Sequence, residues 1–243
     1  MSDEFGSKLQ TPNWRAAFTT IYRLLIFRAS REELAAVGWR HLALGLGCTW
    51  LVGMGRYWDN PRVGLLPHLG IGSVIYVFAL SLLLWVMIWP LRPQNWTYFK
   101  VLTFISMVSP PAVLYAIPVE KFAGLDAANA INAWFLAIVA TWRVALLIFY
   151  LRHSGQLEWF ATIVATLLPL TLVVVALVML NLDRVVFDLM GGGGKRSPSD
   201  SAYGVLFLLS LLSIVLFIPL LICYLYLLID RFTTARYHVS DHE

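Results

Sequence analysis

Arg143 sits where a cation needs a chemical partner. It lies inside Ile131–Leu151, INAWFLAIVATWRVALLIFYL, a run otherwise apolar except for Asn132 near one end. As a helix this run is about 30 Å long, the thickness of a bilayer core. A guanidinium at that depth costs roughly 2.5–3.5 kcal/mol on insertion scales. It needs hydrogen-bond acceptors, and no acidic residue lies inside any of the long apolar runs. The preceding run supplies acceptors of another kind, because Ser109-Pro110-Pro111 interrupts it. Pro110 removes the amide that would bond the Ser106 carbonyl, and Pro111 does the same to Met107. Ser106 lies about 15 Å from the Trp96 end of its run, and Arg143 about 12 Å from the Leu151 end of the next, antiparallel one. The two therefore meet at nearly one level. Arg143, Ser106, Ser109, Pro110 and Pro111 form a candidate intramembrane polar site. The Ala165 carbonyl, freed by Pro169, is a third acceptor at about 9 Å depth. Two roles fit this pattern. Arg143 locks two helices together, or it lines a polar cavity that attracts anions.

A second constellation lies in the loop Gly55–Arg62, where Arg56, Tyr57, Trp58 and Asp59 put two rings, a guanidinium and a carboxylate side by side. Such a group is a candidate outer-face epitope for a partner or a lipid headgroup. Its plainer role is an interfacial anchor closed by the Asp59-Asn60-Pro61 turn. Signatures of intramembrane or soluble catalysis are missing: the chain has no HExxH, no GxSxG and no paired aspartates within its apolar runs. Gly191–Ala202, GGGGKRSPSDSA, reads as a flexible linker and lacks the spacing of a phosphate-binding loop. Cys48 and Cys223 lie in apolar runs and read as small hydrophobes. His238 and His242, with Asp241 and Glu243, read as a solvated tail. The expectation is a protein with no enzymatic activity, no metal and no cofactor.

The elements that must position these residues are membrane spans. Of 243 residues, 59% are hydrophobic and 13% charged, with mean hydropathy +0.73. A soluble domain carries about twice that share of charge. The charges fall between apolar runs, and no basic stripe interleaved with aromatics points to nucleic acid. The runs predict an all-α bundle of six transmembrane helices, at about 39–55, 69–89, 96–117, 131–151, 159–181 and 203–229. Residues 1–38 precede them as a cytoplasmic segment, and 231–243 follow as a cytoplasmic tail. Trp14, Phe18, Ile21 or Tyr22, and Leu25 share helical spacing, with Arg15, Arg23, Arg28 and Arg31 around them. That predicts a basic amphipathic helix in the membrane interface, the alternative being a helix packed on neighbouring protein. Ser30 followed by Glu33 predicts a capping box and a new helix start. With the N-terminus inside, eleven Lys and Arg fall inside and six outside, Arg143 apart. The bias places both termini in the cytoplasm.

The layout resembles the Yip-type (Rab-interacting) membrane protein family, which has bacterial members. The resemblance covers about residues 14–180. It rests on the basic amphipathic N-terminus, the proline-broken span ending at Ile117-Pro118, the span running into Leu151-Arg152-His153-Ser154-Gly155, and the proline-bearing span after it. Six spans exceed the family's usual five. The resemblance implies a non-enzymatic protein of the bacterial inner (plasma) membrane. Its partners would be the lipid bilayer and a protein partner or a second copy of itself. The alternative carried forward is a small transporter or channel with its polar site at Arg143.

Overall fold

The computed structural model describes residues 14–55, 65–180 and 201–240. Among these residues there are helices and turns and no strand. The chain begins with α1, Trp14–Leu25, and α2, Arg31–Ala35. The capping box that starts α2 is complete. The Glu33 amide donates to Ser30 Oγ at 3.1 Å and the Ser30 amide to Glu33 Oε2 at 2.8 Å. Two of the orphan donors at that helix start are thereby satisfied. Then come α3, Trp39–Gly55, α4, Leu65–His68, and α5, Ile71–Ile88, which tightens into a 3-10 turn at Trp89–Leu91. After α6, Tyr98–Met107, the chain continues as a 3-10 helix, Pro110–Ala116. The long helices α7, Leu125–His153, α8, Trp159–Met179, and α9, Ser201–Ser240, complete it.

Among the described residues, four helices are long and apolar enough to cross a membrane: Ile71–Leu91, Ala130–His153, Trp159–Met179 and Leu208–Arg231. This is the pattern of an integral membrane protein. The expected count of six is corrected on two elements. The segment 39–55 does form one helix, but its 17 described residues, about 25 Å, stand at the lower limit of length for a span, and it is not among the four. The segment 96–117 is not one helix. Its two halves, Tyr98–Met107 and Pro110–Ala116, are bent by 43° and make at most one broken span, giving five at the upper limit. The apolar span ends at Arg231, and α9 continues as helix to Ser240; at its start it takes in Ser201 and Ala202 of the expected linker.

α3 packs along both halves of the broken unit. A Cβ on Gly45 would stand 2.7 Å from the Ser106 backbone carbon and 2.7 Å from its Cβ. Only hydrogen fits, so the two backbones touch there. Four residues on, Thr49 Oγ donates to Ser109 Oγ at 2.6 Å. Further along, a Cβ on Gly55 would meet the Ala116 Cβ at 3.0 Å. The far end of α3 turns onto the start of α5 through Gly70, whose φ of +67° suits glycine. A Cβ at that position would press on the Trp50 carbonyl at 2.6 Å. On the other side of α6, Phe104 stacks on Tyr150 of α7 at 4.2 Å, and both are fully buried. α8 is an inner helix and α9 an outer one: 39% of the α8 span is buried against 11% of the α9 span. Tyr224 Oη ties α9 to α5 by donating to the Met87 carbonyl at 2.6 Å.

Candidate functional site

The polar site forms where α6 ends. The amides that follow Val108 decide which carbonyl is left for Arg143. An α-helix would bring the Ala112 amide to the Val108 carbonyl, and a 3-10 helix would bring the amide of residue 111. Residue 111 is proline and has none, while the Ala112 amide turns instead to the Ser109 carbonyl at 2.9 Å. Val108, itself buried, is thus stripped of both backbone donors. Arg143 Nε donates to that carbonyl at 3.2 Å. The bond lies just beyond the Ser106 and Met107 carbonyls that the missing amides single out, and it goes to the broken unit, not to Ala165. The Ser106 carbonyl accepts from the Ser109 amide at 3.2 Å.

The two serine hydroxyls serve the helix packing. Ser106 Oγ donates to the Leu102 carbonyl at 2.6 Å, and Ser109 Oγ accepts from Thr49. Pro110 and Pro111 open the 3-10 segment and make no direct contribution of donors. A bond from a charged donor to a buried carbonyl contributes about 1.5–3 kcal/mol, which offsets the insertion cost of the guanidinium in part. The geometry can hold a broken helix in register, and it places a cation at the break. Val108 and Thr49 escaped the sequence reading. The signal for Thr49 was present as Gly45-x-x-x-Thr49-x-x-x-Gly53, one small-residue face of a helix. Arg56, Tyr57, Trp58 and Asp59 lie outside the described residues.

α1 adds a second surface. It buries Ala17, Thr20, Ile21 and Leu24 against the bundle and leaves Trp14, Phe18 and Tyr22 43%, 56% and 64% exposed. The single apolar face expected from spacing is therefore divided, with Ile21 inside and Tyr22 outside. At about 100° per residue the three rings follow one another down a stripe beside the buried face, and Arg15 and Arg23 come next around the helix. Its C-terminal carbonyl at Leu25 accepts from Trp142 Nε1 at 2.9 Å. Its N-terminal ring meets Trp39 edge-on at 5.6 Å, with the Arg40 guanidinium 5.5 Å from Trp14 and 5.1 Å from Trp39. Arg23 pairs with Glu33 at 2.5 Å across the α1–α2 turn. The Ser30 amide, more than the Arg23 charge, holds the Glu33 carboxyl below its ordinary range.

No protein-family model, curated protein or solved structure matches this chain.

Proposed function

We propose that this is a non-enzymatic integral membrane protein that acts by association, with lipid, with a protein partner or with a second copy of itself. The observation that carries the proposal is the exposed stripe Trp14, Phe18 and Tyr22 on α1. A helix serving only the core would bury such rings. At a bilayer surface they seat among headgroups and upper acyl chains, with Arg15 and Arg23 beside the phosphates. The layout shared with Yip-type proteins agrees with association as the activity and remains part of the proposal.

The proposed setting is a bacterial inner membrane with both termini cytoplasmic. The Lys and Arg bias supports that orientation.

A transporter is the second reading, favoured by Arg143 meeting a helix break, the arrangement on which many transporters build their sites. Proteoliposomes separate the two. The expected outcome is background anion flux for the wild type and for Arg143→Leu alike. Specific flux that Arg143→Leu abolishes would overturn association in favour of transport.

A further inference from the structure

At one end of the bundle three chain connections are sewn together. The Arg31 guanidinium donates to Gln94 Oε1 between α5 and α6, and the Gln94 amide donates to the Gly155 carbonyl between α7 and α8 at 2.9 Å. Beside this junction lies an open cavity of about 480 Å³ lined by Arg31, Arg152, His153 and Gln156. Among the described residues the lining has two guanidinium groups and an imidazole and no carboxylate. Arg152 is held in place from both sides. Its Nη1 donates to the Leu157 carbonyl at 2.7 Å, and its guanidinium lies 5.6 Å from the Trp159 ring. His153 is fixed by stacking on Phe149 at 4.5 Å. Gln156 Nε2 donates to the His153 carbonyl at 2.8 Å.

The backbone around the cavity is held in unfavourable shapes. Gln156 has φ +53°, and Arg92 and Asn95 in the adjoining connection have +52° and +56°. Side-chain-bearing residues adopt this region only where surrounding structure imposes it, and such positions gather at ligand sites.

We infer that this cavity binds the phosphate of an anionic phospholipid headgroup, an inference that rests on the membrane reading above. Phosphate follows from the donors. Each guanidinium offers five N–H groups in a planar fork matched to phosphate oxygens, and the bonds named above use one on each. Lipid follows from the place. Trp89 and Trp159, both largely exposed, flank the same end of the bundle, as rings at headgroup level do. Basic cavities between spans on the cytoplasmic side take anionic headgroups.

The test is native mass spectrometry of the full chain in detergent, with phosphatidylglycerol, phosphatidylcholine or inorganic phosphate added. The wild type should retain phosphatidylglycerol in preference to phosphatidylcholine. Arg31→Gln combined with His153→Gln should weaken that retention about tenfold. Arg152 is left intact in this variant because it bonds a backbone carbonyl, that of Leu157, whereas Arg31 bonds a side chain and the Gln94 amide keeps its own bond to Gly155. Lys121→Gln, at the opposite end, should retain lipid as the wild type does. Equal retention of the two lipids, or an unchanged preference in the double variant, overturns the inference. Inorganic phosphate bound by the wild type and lost from the double variant, without preference between lipids, overturns the lipid assignment and points to a soluble phosphate ligand. Anion flux lost with Arg143→Leu would instead overturn association while leaving lipid retention untouched, so the two failures are distinguishable.

Discussion

α8 runs unbroken from Trp159 to Met179 with Pro169 at its middle, whereas the segment that begins with α6 stops its α-helix at Met107 and leaves Pro110 as a 3-10 helix bent by 43°. Both segments are apolar, and both lose backbone donors to proline. The difference is in number and neighbourhood. One proline removes a single amide, and the turns on either side of it still bond. Thr171 Oγ also donates to the Leu168 carbonyl at 3.0 Å, an example of how hydroxyls support the backbone near a helix proline. Two consecutive prolines remove two adjacent amides, and the next available donor, on Ala112, reaches only three residues back. The Val108 carbonyl is then satisfied from outside the helix, by Arg143. A membrane helix absorbs one missing donor locally, while a pair of them recruits a neighbour.

The largest expected effect comes from separating the broken unit from the helix that splints it. Gly45→Leu drives a side chain into the Ser106 backbone and should cost about 3 kcal/mol, seen as a lower Tm in detergent. Gly47→Leu, where a Cβ meets nothing within 4 Å, should change little. Similar losses from both would show that the close approach at Ser106 does not matter.

Removing the external donor comes next. Arg143→Leu leaves the Val108 carbonyl unpaired and should lower stability by about 1–3 kcal/mol, with membrane insertion preserved. Arg143→Glu should be worse, because a carboxylate would face a carbonyl oxygen. Chemical unfolding in micelles ranks the three proteins, and a Glu variant as stable as Leu would count against the contact. By contrast, Pro169→Ala restores one amide to a helix that already continues through that position, and should stabilise by no more than about 1 kcal/mol. A gain as large as the Arg143→Leu loss would erase the distinction between the two segments.

The smallest effect lies away from both. The Ser30 amide and Arg23 hold the Glu33 carboxyl below its ordinary value of 4.5. Its contribution is therefore complete above pH 4.5 and is lost as pH falls through the depressed value. With the pair at the surface, the contribution stays below about 1 kcal/mol. Amide exchange at Ser30 and Glu33 should quicken in acid while exchange in α6 and α7 holds steady. Quickening in all of them together would tie the cap to the core.

Legibility in the sequence followed the range of the interactions. The capping box was readable because Ser30 and Glu33 are three residues apart. The break at Pro110 and the long runs around α5, α7, α8 and α9 were readable from single-residue chemistry and hydropathy. Val108 was not, because its exposure depends on how the chain continues after the prolines and on which carbonyl the Ala112 amide chooses. The count of six spans exceeds the four or five that the described helices support, for a related reason. The brevity of 39–55 was visible in the sequence, but hydropathy scores a run by composition and cannot see that 96–117 bends. The two faces of α1 look alike by spacing, and only the bundle decides that Ile21 goes in and Tyr22 stays out.

The touch between Gly45 and Ser106 bears on how the chain is made. α3 leaves the ribosome before α5 and well before α6, so its closest partner does not yet exist when it reaches the membrane. At 17 residues with Arg40 and His41 in its first turn, α3 has little to hold it in lipid unaided. α6 has 10 residues and is in the same position. Full seating of the earlier helix awaits synthesis of the later one, so in a chain truncated after α5, which stays anchored by that span, Cys48 of α3 should react faster with a water-soluble thiol reagent than in the full chain.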